Sequence, residues 1–135
     1  MNGLRSIEGD CWLCSGGQKK IAVDYGKYAN FPDRTAQLRF NWDWEPPTSD
    51  PYATTAPVGK LQPNGVSIYH MDGNVWEWMQ DSPKSESERR QSRLGVGGSW
   101  LDKPSVFRPA NRTLLEAEDK KITVGFRVIL PIILD

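Results

Sequence analysis

The run His70-Met71-Asp72-Gly73-Asn74-Val75-Trp76-Glu77-Trp78 places an imidazole, two carboxylates and an amide within one short stretch. Oxygen donors at such spacing suit a hard cation, and an imidazole beside a carboxylate suits general acid–base work. Gly73-Asn74 reads as a tight turn, since both residue types tolerate the left-handed backbone that others avoid. From Val75 to Met79 the chain alternates like a strand, with Val75, Glu77 and Met79 on one face and Trp76 and Trp78 on the other. A glutamate between two tryptophans in a half-buried strand needs a partner, and a calcium ion or an arginine would supply one. His70, the single histidine, has Asp72 nearby but no nucleophile or electrophilic stabiliser in the pattern, so it reads as a turn or core histidine. Cys11 and Cys14 form a C-x-x-C without the second ligand pair of a structural zinc site or the strand–helix setting of a thioredoxin motif. They read as buried or incidental thiols.

The elements that must position these groups are short. A chain of 135 residues fits one domain. Apolar residues make up only 38%, yet six tryptophans offer large contact areas, so a small core built on aromatics is expected. Six of the ten prolines fall in residues 28–65. That region shows no helical periodicity and reads as a long ordered loop, held by Phe31, Phe40, Trp42, Trp44 and Tyr52. Residues 81–93 are charged and free of apolar side chains, the pattern of a solvated loop rather than a docking surface. Residues 113–121 are expected to form a helical turn with Leu114 and Leu115 inward, and Ile122 to Leu130 a strand. Seventeen basic and seventeen acidic residues cancel, which excludes a global pull toward nucleic acid or anionic membrane. Residues 1–10 are polar and unlike a signal peptide, and the longest apolar stretch, residues 128–134, is too short to cross a bilayer. The resulting expectation is a soluble, by default cytoplasmic, α+β protein with little regular structure.

The Gly73–Trp78 run resembles a segment of the formylglycine-generating (sulfatase-modifying factor) family. So do Gly97-Gly98-Ser99-Trp100, the pair Arg108 and Arg112, and Gly125-Phe126-Arg127. Ala29-Asn30-Phe31, Asp50-Pro51-Tyr52, Thr55-Ala56-Pro57-Val58-Gly59 and Pro63-Asn64-Gly65 complete the series in family order. The resemblance implies a C-type-lectin-like fold of which this chain carries the C-terminal part, incomplete at its N-terminus. Residues 1–27 match poorly and 28–135 match well. It also implies a calcium site made of the Asn30 side chain, the Phe31 carbonyl, the Asp50 side chain and the Tyr52 carbonyl. A second family site maps to position 70, the carbonyls of Gly73 and Val75, and the Glu77 carboxylate. His70 stands there in place of a carboxylate or amide, a poor ligand for a hard cation. Asp72 is a candidate substitute, or an arginine among Arg108, Arg112 and Arg127 takes the role of the ion.

Family enzymes bind copper through two cysteines shortly after Gly-Gly-Ser, because soft Cu(I) prefers thiolates. Those positions are Asp102 and Phe107 here, so copper is not expected, and Ser99, which matches a family active-site serine, has neither base nor metal. The leading expectation is therefore a non-catalytic, calcium-stabilised module. It would bind an unidentified protein or small molecule through Asp102, Phe107, Arg108 and Arg112, and would self-associate or take a partner that completes the fold. The alternatives are a divergent metal-dependent oxidoreductase acting on a protein or small thiol, and a degenerate, non-functional chain.

Overall fold

The computed structural model describes residues 25–43, 46, 49–64, 67–80, 92–107 and 110–130. Cys11, Cys14, Trp44, Arg108 and the charged run up to residue 91 lie outside the described residues. Among the described residues the architecture is α+β, with one short helix, two 3-10 turns (Tyr25–Lys27 and Pro104–Val106) and a four-stranded sheet.

Helix α1, Arg34–Phe40, lies inside the region expected to be loop throughout. Seven residues are too few for the apolar period to show, so the caps define it instead. Asp33 sits in extended backbone and accepts from the Ala36 N–H at 2.8 Å. Asn41 ends the helix in left-handed backbone, its own N–H donating to the Gln37 carbonyl. Only Ala36 of the helix is buried. Phe40 at its end stacks on Trp42, with ring centroids 5.0 Å apart, and tilts against buried Trp100 at 5.9 Å. Those rings fasten the helix to the Gly97–Trp100 turn. Of the aromatics expected to order the proline-rich region, Phe40 and Trp42 pack in this way and Phe31 is buried in the core.

The sheet runs in the order β3-β2-β1-β4. Strand β1 is Trp76–Trp78, β2 is Ser92–Val96, β3 is Thr113–Glu116 and β4 is Val124–Gly125. β2 lies antiparallel to both β1 and β3, with Glu77 opposite Val96 and Leu94 opposite Leu114. β4 joins the other side of β1 in parallel, Trp76 beside Val124 and Glu77 beside Gly125. Two expectations need correction. Residues 113–116 are a strand, not a helical turn; Leu115 is buried while Leu114 is 55% exposed. Pairing with β2 imposes the two-residue alternation, whereas a Leu-Leu pair alone fits either period. The strand expected over 122–130 is ladder-paired only at Val124–Gly125.

The apolar core is small: Ala29, Phe31 and Phe107, with Val106 packed against them. Asn30, Asp33, Asp50, His70, Asn74, Ser92 and Ser99 are buried as well. Among the described residues, polar side chains thus hold much of the interior, which requires that they be hydrogen-bonded. No helix among the described residues is long and apolar enough to cross a membrane.

Candidate functional site

The centre of the molecule is a clasp between two distant turns. Gly73 and Asn74 both have positive φ, 74° and 64°, as expected of the tight turn. Gly73 pairs with Asn30 in an isolated bridge, its N–H donating to the Gly97 carbonyl while the Asn74 N–H donates to the Asn30 carbonyl at 2.8 Å. A Cβ on Gly73 would lie 1.9 Å from the Asn30 carbonyl oxygen, so only glycine admits this approach. The buried Asn74 side chain accepts from the Ala56 N–H at 2.8 Å and donates to the Ala56 carbonyl at 3.3 Å. The Trp100 N–H donates to the Asn74 carbonyl. Asn74 therefore ties together the Thr55–Gly59, Gly73–Trp78 and Gly97–Trp100 segments.

Asn30 faces the same space. Its Nδ2 donates to the Thr54 carbonyl at 2.6 Å and more weakly to Asn74 Oδ1 at 3.4 Å. Its Oδ1 is buried with no hydrogen-bond partner, an acceptor that normally costs stability to leave unmet. One residue on, the Phe31 N–H reaches Asp50 Oδ2 at 3.4 Å, and Asp50 Oδ1 accepts from the Tyr52 N–H at 2.7 Å. Burial pushes the Asp50 carboxyl up to about 7, helped by the nearby Asp33 charge and opposed by the two N–H donors. Asp33 was not singled out in the sequence, yet it organises this corner. Besides capping α1, its Oδ2 accepts from the Asp50 N–H at 2.7 Å and from Ser49 Oγ at 2.6 Å. The signal was present: an Asp after Pro32, opening a helix-compatible run, is an N-cap pattern.

Asn30, Phe31, Asp50 and Tyr52 are thus neighbours. The buried Asp50 carboxylate and the unpartnered Asn30 Oδ1 are oxygen donors of the kind calcium takes. Clusters of three or more His, Cys, Asp or Glu arranged for a metal do not occur among the described residues. Any cation site here would therefore draw on amide and backbone oxygens.

At the start of β1 the Glu77 carboxylate finds its arginine. Arg127 donates from Nη2 to Oε1 at 2.6 Å and from Nε to Oε2 at 2.9 Å, and its Nη2 also reaches the carbonyls of Tyr69 and His70. Of the three candidate arginines, Arg127 pairs with Glu77; Arg108 lies outside the described residues, and Arg112 is exposed and donates to the Asn111 carbonyl. Gly73 and Val75 lie on the turn leading into this strand, Gly73 buried and Val75 half-buried. His70 is buried in left-handed backbone, and neither ring nitrogen makes a hydrogen bond of good geometry. Burial lowers its pKa and the Arg127 charge lowers it further, against the Pro57 carbonyl and Glu77, which favour the proton. The Pro57 contact is electrostatic rather than a formed bond. His70 is a neutral core residue.

The Gly97–Phe107 turn holds the positions where family enzymes carry thiolates. Ser99 is buried, and Asp102 Oδ2 accepts from both its N–H at 2.9 Å and its Oγ at 2.5 Å. Phe107 is completely buried in the apolar core, against Gly98, where a Cβ would come 2.4 Å from the ring. Phe107 is therefore a core residue and offers a ligand no surface, which corrects its assignment as a contact residue. Asp102 is half-buried and turned onto Ser99.

This arrangement, a thin α+β shell around polar clasps, accords with the comparisons. The sulfatase-modifying factor enzyme 1-like domain matches residues 12–132, and the chain belongs to that family. It is 33% identical to the chaperone protein LppX of Paenibacillus barcinonensis over 95% of this chain and 49% of that protein. It is 34% identical to the formylglycine-generating enzyme of Thermomonospora curvata over 58% of this chain and 32% of that one. Among solved structures, PvdO from Pseudomonas aeruginosa superposes with a TM-score of 0.58 at 25% identity, covering 84% of this chain and 41% of that one. CarF superposes at 0.50 with 30% identity over 58% of this chain. The chain spans about half or less of the length of these relatives.

Proposed function

We propose that this chain is a non-catalytic, calcium-stabilised binding module of the sulfatase-modifying factor family, with a C-type-lectin-like fold of which it carries the C-terminal part. The observation that carries the reading is the state of the two copper positions. Phe107 is hydrocarbon buried in the core and Asp102 is a hard carboxylate turned onto Ser99, so neither suits Cu(I). Among the described residues Ser99 meets no base beyond that carboxylate, and His70 makes no hydrogen bond to it. The relative that aligns with nearly the whole chain bears the name of a chaperone rather than an oxidase, which supports binding over chemistry.

Calcium would be held by the Asn30 side chain, the Asp50 carboxylate and the carbonyls of Phe31 and Tyr52. The ion would supply a counter-charge for the buried Asp50 carboxylate and the partner that Asn30 Oδ1 lacks. At Glu77 the guanidinium of Arg127 takes the place of a second ion. The ligand-facing surface is the turn from Leu101 to Asn111 with Arg112, where Leu101, Lys103 and Ser105 are exposed. Asp102 and Arg112 are its charged anchors, and Arg108, the further candidate, lies outside the described residues.

Thermal unfolding with calcium or chelator at two pH values tests this reading. Folded Asp50 keeps its proton up to about pH 7, whereas the unfolded chain releases it near 3.8. The folded state therefore binds more protons in that window, and in chelator the Asp50 contribution to stability falls as pH rises through it. His70, lowered on folding, has the opposite trend below its ordinary value, so Asp50→Asn isolates the first effect. Calcium binds the ionised carboxylate and competes with the proton. At about 100 times its dissociation constant it should add roughly 2.7 kcal/mol and several degrees at pH 7.5, and less at pH 5. Asn30→Ala and Asp50→Asn should lose that rise. A cooperative transition indifferent to calcium at pH 7.5 would remove the metal, and copper-dependent oxygen uptake with a thiol peptide would restore the enzyme reading.

A further inference from the structure

The two segments that would carry the calcium ligands are distant in sequence, and groups outside the ligand set align them. Phe31 and Asp50 are 19 residues apart, and the Phe31 N–H reaches Asp50 Oδ2 only at 3.4 Å. Shorter contacts run through Asp33 and Thr35. Asp33 Oδ2 accepts from the Asp50 N–H at 2.7 Å and from Ser49 Oγ at 2.6 Å. Thr35 Oγ1 donates to the Asp50 carbonyl at 2.7 Å. Side chains at the start of α1 therefore hold both main-chain groups of Asp50. They engage neither oxygen of its carboxylate, so an ion can take that carboxylate without breaking them. Asp33 is 0% exposed, and its other oxygen caps α1 through the Ala36 N–H.

We infer that Asp33 and Thr35 are positioning residues of the calcium site, and that through them the ion and helix α1 stabilise each other. The inference rests on the calcium reading of Asn30, Phe31, Asp50 and Tyr52 and adds no ligand to it. Groups that hold ligands in place carry much of a metal site's affinity, because a ligand already ordered need not be ordered at binding. Asp33 acts on both segments: its backbone continues from Asn30 and Phe31, and its carboxylate grips Asp50. An amide at position 33 has one acceptor oxygen for two jobs. Whichever way it turns, the buried N–H of Ala36 or of Asp50 loses its partner. Such linkage is reciprocal. An ion favoured by the Asp33 geometry favours that geometry in turn, and with it the cap of α1 and the Gln37 N–H bond to the Asp33 carbonyl at 2.8 Å. α1 is short and buries only Ala36, so its amides exchange through local opening. A bound ion slows that opening.

Calorimetric titration of the full chain with calcium chloride, paired with residue-resolved hydrogen exchange, tests the inference. Asp33→Asn should weaken calcium binding at least tenfold, within the ~10–100-fold range for groups that hold metal ligands. Thr35→Val removes one hydrogen bond to the Asp50 carbonyl, keeps the branched shape, and should weaken binding about fivefold. It decides the matter where Asp33→Asn does not fold. Arg39→Ala, exposed on the same helix, should leave the affinity unchanged. The Gln37 and Asn41 amides should slow when calcium is added to the wild type. They should slow less in Thr35→Val, even at saturating calcium. A role confined to capping α1 would leave the calcium affinity of a folded variant untouched. Equal affinity in the wild type and the folded variants would therefore overturn the inference and leave the calcium reading intact. Amides of α1 indifferent to a bound ion would overturn the coupling. A wild-type chain that binds no calcium would overturn the calcium reading, and this inference with it.

Discussion

The clasp around Asn30, Asp50 and Asn74 and the stretch from Ile122 to Leu130 reverse the usual placement of polar and apolar groups. In the first, amides and carboxylates are buried and tied to backbone across 44 residues of sequence. In the second, aliphatic and aromatic side chains stand in water with one arginine holding them. The difference teaches where uniqueness of structure comes from in a domain with so small a core. Apolar contacts accept many arrangements, whereas Asn74 fits one, because each of its buried groups has a named partner at hydrogen-bond distance. The exposed stripe adds little to the packing among the described residues.

If that contrast is right, substitutions in the clasp should be far costlier than substitutions in the stripe. Gly73→Ala is the most severe. Its Cβ would strike backbone at Asn30, which cannot swing aside, in left-handed φ. A loss above about 4 kcal/mol, or of cooperative urea unfolding altogether, is expected. A milder result would mean that the two turns can separate without loss of the fold. Asn74→Ala removes the acceptor of the buried Ala56 N–H and the donor to its carbonyl. It should cost about 2–3 kcal/mol in the midpoint of a denaturant titration, and a value near zero would show water replacing the amide. Leu130→Ser, at the far end of the stripe, should shift the midpoint by less than about 0.5 kcal/mol at concentrations where the chain is monomeric. A large loss there would show Leu130 packed within one copy and erase the comparison.

Much of the clasp was legible in the sequence because its chemistry is local. Gly73-Asn74 admits few conformations other than the turn it forms, and a glutamate flanked by tryptophans demands a counter-charge, which Arg127 provides. What escaped the reading depends on residues far apart in the chain. β2 and β3 are strands because they face each other, and neither carries a distinctive pattern alone. α1 is too short for a period, so the information resides in Asp33 and Asn41 at its ends. Phe107 was placed on a surface by counting from Ser99. The space made by Gly98 draws the ring inward instead, and a count along the sequence carries no depth.

The parallel alignment of β4 on β1 has a consequence for the time course of folding. Glu77 and Arg127 are 50 residues apart, so the strand that completes the sheet and the cation that neutralises its carboxylate are made well after β1. At ribosomal rates of about 5–20 residues per second, that interval is roughly 3–10 seconds. Throughout it Glu77 sits between Trp76 and Trp78 with the Arg127 guanidinium not yet synthesised. For most of that interval β1 waits for β2 and β3 as well, and only its end, between Glu116 and Val124, presents an open β1–β2–β3 sheet, the stage at which the nascent domain is most vulnerable to capture by other chains.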